Sequence, residues 1–142
     1  MLRRALLLAA FAVVVAAAAA SAATVKFHAT LSPGAEFPPS RSSGSGEANA
    51  ALDTVTHVLT YDVTFAGLAH RVTQADFDGP APAGQNGGPI ISLGMNPTSP
   101  IHGVTVMRPD QERQITAGLW YVNLVNFAHP GGAIRGQLLP EK

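Results

Sequence analysis

The chain has no cysteine. That absence removes disulfides, thiol nucleophiles, Cys-ligated zinc and iron–sulfur clusters together. Charge is scarce as well: 13% of the 142 residues are charged, nine basic against nine acidic, for a formal net charge of zero. A balanced surface gives no support to nucleic-acid binding, which rests on a basic face. Aromatics are few, with one tryptophan and two tyrosines, and helical periodicity is nearly absent after residue 24. Missing too are a Gly-x-Ser-x-Gly elbow, a Walker loop, a dinucleotide fingerprint and a His-Glu-x-x-His pair. The five histidines, His28, His57, His70, His102 and His129, form no H-x-H or H-x-x-x-H pair, so surface or turn placement is the simpler reading for each.

What is present is a 46% hydrophobic chain, too apolar for a disordered tail and of a length that suits one domain. Its N-terminus carries the clearest signal. Met1-Leu2-Arg3-Arg4 is a short positive region, and Ala5 to Val15 is an unbroken apolar run that continues as alanines to Ala20. Ala20-Ser21-Ala22 then offers small residues at the two positions a signal peptidase reads. A retained anchor is the alternative, since about 19 apolar residues can span a bilayer. A weakly hydrophobic alanine core ending at an A-x-A site favours cleavage after Ala22. The expectation is a signal peptide over 1–22, a single domain over 23–142, and no transmembrane segment after cleavage. Arg3 and Arg4 leave with the signal, so the remaining chain is acidic by two charges. Arginine outnumbers lysine seven to two and alanine is abundant, a bias of GC-rich bacterial genomes. A periplasmic or secreted bacterial protein is the expected address.

Beyond residue 24 apolar residues recur with period two. Val25, Phe27, Ala29 and Leu31 alternate with polar residues, as do Ala48, Ala50 and Leu52, and then Leu59, Tyr61, Val63 and Phe65. Thr73, Ala75 and Phe77 oppose Gln74, Asp76 and Asp78. Such alternation places one face on a core and one in water, as antiparallel sheets allow. Ser32-Pro33-Gly34, Ser42 to Gly46 and the Gly79 to Pro89 run read as breaks, the Ser40 to Ser45 cluster as a flexible loop. His129-Pro130-Gly131-Gly132 between Leu119–Asn126 and Ala133–Leu139 has the form of a hairpin. One helix is expected over 109–117, with a proline at its start, Asp110 and Glu112 in its first turn and Gly118 as the stop. About eight short strands at this spacing predict an all-β sandwich of immunoglobulin-like or Greek-key type. The exposed edge strands of an open sandwich leave both monomer and dimer open.

Three segments together resemble the CHRD domain, the module named after chordin. They are Glu36-Phe37-Pro38-Pro39 after the first strand, Gly79-Pro80-Ala81 after the fourth, and Tyr121-Val122-Asn123 followed by Pro130-Gly131-Gly132-Ala133-Ile134-Arg135-Gly136-Gln137-Leu138. The resemblance spans about residues 24–139 and implies a β-sandwich often compared with copper–zinc superoxide dismutase, in an extracellular or periplasmic setting. It implies no established enzymatic activity. The family usually shows Ala-His-x-His-Gly-Pro where this chain has Ala75-Asp76-Phe77-Asp78-Gly79-Pro80, and Tyr-Val-Asn-x-His where it has Tyr121-Val122-Asn123-Leu124-Val125. Three family histidines are therefore replaced, and any metal retained at this place would have to use carboxylates.

Asp76 and Asp78 are accordingly the candidate metal residues. Two hard oxygen donors beside a Gly/Asn/Gln-rich loop suit a divalent cation such as calcium or magnesium better than copper or zinc. An EF-hand is excluded, because Pro80 and Gly87 stand where ligands are needed. The plainer reading is a pair of solvated aspartates closing a strand before a turn. A glycosidase pair would need a cleft that no insertion supplies. Arg135, on one strand face with Gln137, is either a carboxylate or phosphate fork or the partner of an ion pair with Asp62 or Glu36. Asn123, between apolar neighbours, has to satisfy its amide inside the sheet or at its edge. Trp120 and Tyr121 point to opposite faces, one toward the core and the other half-exposed. The preferred function is a non-enzymatic binding or structural module for an unidentified protein or small-molecule partner. The alternatives are a metal-dependent enzyme of superoxide dismutase type and a calcium-stabilised interaction module using Asp76 and Asp78.

Overall fold

The computed structural model describes Val14 and residues 23–142. The signal-peptide reading of residues 1–22 thus falls almost wholly outside the described residues. Among those described, no helix is long and apolar enough to cross a membrane.

Two antiparallel sheets face each other. The first contains β1 (Thr24–Leu31), β2 (Ser45–Asp53), β3 (Val58–Ala66), β6 (Ile101–Val106) and β9 (Leu139–Pro140), in the order β6-β3-β2-β1-β9. The second contains β4 (Gln74–Gly79), β5 (Gly88–Met95), β7 (Tyr121–Asn126) and β8 (His129–Gln137), in the order β5-β4-β7-β8. The all-β sandwich expected from the alternation is the observed class. The inward positions are those the period-two pattern marked: Phe27, Ala29 and Leu31 on β1, Ala48, Ala50 and Leu52 on β2, Leu59 and Val63 on β3, all buried. Ala29 pairs with Ala48 and Phe27 with Ala50. The small side chains of β2 leave room for the second sheet's aromatics. There Phe77 meets Tyr61 edge-on at 5.1 Å between ring centroids and Trp120 at 5.7 Å. Such contacts contribute about 0.5–1.5 kcal/mol each beyond area burial. Trp120 is fully buried, and its indole N–H donates to Gln114 Oε1 at 3.0 Å.

The helix α1 (Pro109–Thr116) forms as the sequence signals require. Proline opens it, Gln111 Oε1 accepts the Arg108 backbone N–H at 2.9 Å, and Ile115 turns into the core. Gly118 ends it at a φ of +74°, a left-handed value that favours glycine.

Four expectations are corrected. Nine strands form, because the chain crosses at Leu138 from β8 to the two-residue β9 in the opposite sheet. The Gly79–Pro89 loop is shorter than the composition suggests: pairing of Gly79 with Gly88 confines it to residues 80–87. The β7–β8 hairpin turns at Phe127-Ala128, not at the glycines. Asn126 Oδ1 accepts the His129 N–H at 2.9 Å and closes the turn, which frees Gly131 and Gly132 to lie within the strand. The serine cluster is partly anchored, since Ser40 Oγ donates to the Ala133 carbonyl at 2.6 Å.

Candidate functional site

The outer face of the four-stranded sheet is unusually polar for a covered surface. Because Ala75 and Phe77 point inward, Asp76 and Asp78 point outward; by the same alternation Tyr121, Asn123 and Val125 face outward on β7, and Arg135 and Gln137 on β8. Register aligns Asp76 with Asn123 and Asn123 with Arg135 across three strands, and Asp78 with Tyr121 and Tyr121 with Gln137.

Two segments cover this face. The strap, residues 32–42, begins with Ser32 and Arg135 exchanging backbone hydrogen bonds of 2.9 and 3.1 Å. A single 3₁₀ turn, Pro33–Ala35, then drops Glu36 onto the sheet, where it is 7% exposed. The other cover is the 80–87 loop. Asn86 Nδ2 donates to the Phe37 carbonyl at 2.6 Å and joins loop to strap.

Burial is the main correction to the sequence reading. Asp76 and Asp78 are 3% and 5% exposed, not solvated. Arg135 makes no ion pair with either expected carboxylate: Asp62 lies on the other sheet, and among the described residues the ion pairs are His57–Glu112 and Arg108–Asp110. Instead Nη1 donates to the Gln85 carbonyl at 2.7 Å and Asn86 Oδ1 at 3.2 Å, while Nη2 donates to the Pro82 carbonyl at 3.2 Å and Gln137 Oε1 at 3.0 Å. Its guanidinium also stacks 3.5 Å above the Tyr121 ring. Tyr121 is buried on the outer face rather than half-exposed, and its hydroxyl donates to the Gly87 carbonyl at 3.0 Å. His57 sits in the β2–β3 turn at φ +61° with Nδ1 2.6 Å from Glu112 Oε1.

A family model of the CHRD domain matches residues 27–138. The chain belongs to the CHRD domain family. No curated protein and no solved structure matches it. The three positions where histidines were expected thus hold Asp76, Asp78 and the half-buried Val125 in this CHRD domain, all on one outer face.

The electrostatics follow from burial. Loss of water pushes the Glu36 carboxyl up to about 7, with Arg135 pulling the other way and Asp78 adding to the rise. Burial likewise pushes Asp78 up to about 6, against the hydrogen bond from Asn123. Asp76 is raised by the same cause and held down in part by Gln74, whose Nε2 donates to its Oδ2 at 2.6 Å. Asn123 Nδ2 donates to Asp78 Oδ2 at 3.2 Å and to the Gly131 carbonyl at 3.3 Å. Three oxygens of the cluster are buried without a hydrogen-bond partner: Glu36 Oε1, Asp78 Oδ1 and Asn123 Oδ1. A fourth orphan, Asn126 Nδ2, belongs to the β7–β8 turn.

Of several hollows among the described residues, two lie on opposite sheets. One of about 680 Å³ lies across the five-stranded sheet, and its polar residues, including Lys26, Asn49, Asp62 and His102, are exposed or half-buried. The other, about 460 Å³, lies between strap and loop, with Arg135 and Gln137 in its floor and Phe37 on its rim. Of these two the smaller is the better candidate, because the buried Glu36 and Arg135 line it. Sequence reasoning missed Glu36 and Tyr121 as members of this site. Their signal was membership of the Glu36-Phe37-Pro38-Pro39 and Tyr121-Val122-Asn123 segments that carry the family resemblance, but only the strap's path brings the first onto the second.

Proposed function

We propose that this CHRD domain is an exported, non-enzymatic binding or structural module that presents its strap and its 80–87 loop to a partner. The observation that supports it best is the use of Arg135. A fully buried guanidinium directs its donors at loop carbonyls and neighbouring amides, and so fixes the shape of the 80–87 loop. A group so committed is not available to polarise a substrate. Above it the groove between strap and loop offers a small apolar rim, with Phe37 54% exposed, for a protein segment or small molecule. A dismutase reading finds no imidazoles at the positions that would supply them, since Asp76, Asp78 and Val125 stand there.

The test uses the exported mature chain, purified without affinity metal. Rates on a panel of ester, glycoside, peptide and phosphate substrates, and on superoxide with and without copper, are expected at buffer background. Turnover that Asp78→Asn abolishes would overturn the reading. N-terminal sequencing of the same sample is expected to begin at Ala23.

A further inference from the structure

The three orphan oxygens share a feature that ordinary packing does not explain. All are acceptors, each belongs to a side chain at least nine-tenths buried, and they come from three separate elements: the strap, β4 and β7. Turning the Asn123 amide over offers no relief. It would aim the NH₂ at Glu36 but set the amide oxygen against Asp78 Oδ2 and the Gly131 carbonyl, which now receive its donors. Oxygens buried this way cost about 1–3 kcal/mol each when left alone.

Gly132 shows where two of them meet. A Cβ built on it would collide with both Glu36 carboxylate oxygens and with Asn123 Oδ1. The Glu36 carboxylate and the Asn123 amide oxygen therefore crowd one place beside Gly132, and Asn123 in turn holds Asp78 through its Nδ2. Glycine, at φ +142°, leaves that edge of the cluster without a side chain. Charge completes the picture: Glu36, Asp76 and Asp78 oppose the single cation Arg135, a net of two negative charges when all are ionised.

We infer that Glu36, Asp78 and Asn123 form a site for a hard divalent cation of the calcium class, closed by the strap. The donors are oxygens only, which suits calcium and magnesium and not copper or zinc. Among the described residues no three Asp, Glu or His side chains meet at metal-binding range, so the amide oxygen is needed as the third protein donor and water completes the shell. Two carboxylates and an amide make a weak site, with Kd of about 10⁻⁴–10⁻³ M, the range of extracellular calcium modules. Asp76, paired with Gln74, supplies long-range charge from beside the site. The cation would hold the strap on the sheet, and so deepens the module reading, on which the role assigned to strap and loop rests.

The experiment is terbium luminescence sensitised through Tyr121 and Trp120, on the mature chain at about pH 8, above both carboxyl values. Terbium is expected to light up, calcium to displace it, and calcium at about 10 mM to raise Tm by a few degrees. Glu36→Gln and Asp78→Asn are each expected to weaken binding about tenfold or more, and Asp76→Asn only a few-fold. Both isosteric changes remove buried charge, so the fold survives them; the wild-type calcium response needs no variant in any case. Luminescence that survives both substitutions, or a wild-type Tm indifferent to calcium and raised only by acid, would overturn the inference. The latter result means that a proton alone occupies the cluster. Neither outcome touches the substrate panel, so the module reading stands or falls separately.

Discussion

Replacing Arg135 with methionine keeps length and an apolar surface over the Tyr121 ring while deleting every donor. Four hydrogen bonds and one cation–ring contact disappear. Bonds from a charged donor contribute about 1.5–3 kcal/mol each in favourable settings, and a desolvated ring contact about 2 kcal/mol. Much of that is offset, because the guanidinium no longer has to be stripped of water and the freed Pro82 and Gln85 carbonyls, on exposed residues, regain it. The net loss is expected at about 2–4 kcal/mol, or roughly 8–16 °C in Tm for a domain of this size. The loss is also local. Ala81 N–H, bonded to the Leu119 carbonyl at 2.9 Å, and Gly87 N–H, bonded to Tyr121 Oη at 3.0 Å, should lose hydrogen-exchange protection before the core strands do. Arg135→Lys restores charge without the fork and should recover little. The assay is amide exchange read by mass spectrometry beside a thermal melt. Unchanged protection across residues 80–87, with Tm within about 2 °C of wild type, would refute the assignment of Arg135 as the tie for the loop.

Acid should stabilise the metal-free chain. Burial opposes ionisation of Glu36 and Asp78, so the folded state holds their protons more tightly than the unfolded state. Their contribution is greatest below about pH 4 and lost as pH rises through about 6 to 7, by at most about 3 kcal/mol for Glu36. Tm measured in chelator between those limits should fall, and a rise would contradict the burial argument. In the same buffer at about pH 8, Glu36→Gln should melt higher than wild type, and excess calcium should reverse the order. Gly132→Ala should be severely destabilising, since its Cβ meets Glu36 and Asn123 at a left-handed φ; a melt within about 1 °C of wild type would deny the crowding. Trp120→Phe leaves Gln114 without its indole partner and opens space beside Phe77; equilibrium unfolding should show a loss of about 1–3 kcal/mol.

The sandwich was legible because its information is local. Period-two alternation on β1, β2 and β3 names the inward residues directly, and Pro109, the first-turn acids and Gly118 delimit the one helix. The site was legible only in part. That Asp76 and Asp78 share a face follows from their spacing, but their burial does not: it depends on a strap folding back from β1, more than thirty residues upstream. The same holds for Arg135, whose acceptors are carbonyls, groups every residue carries and no sequence pattern marks. Hairpin placement failed for a related reason. Glycine and proline signal a turn, yet Asn126, three residues before the His-Pro-Gly-Gly run, closes it with a side-chain oxygen.

The most direct test is a high-resolution crystal structure of the mature chain grown near neutral pH with calcium. The expected result is a single cation among Glu36, Asp78 and Asn123, with oxygen distances of about 2.3–2.6 Å and the strap closed over it. A strap lifted from the sheet, or an ion-free cluster in which a protonated Glu36 donates to the Asn123 oxygen, would contradict it.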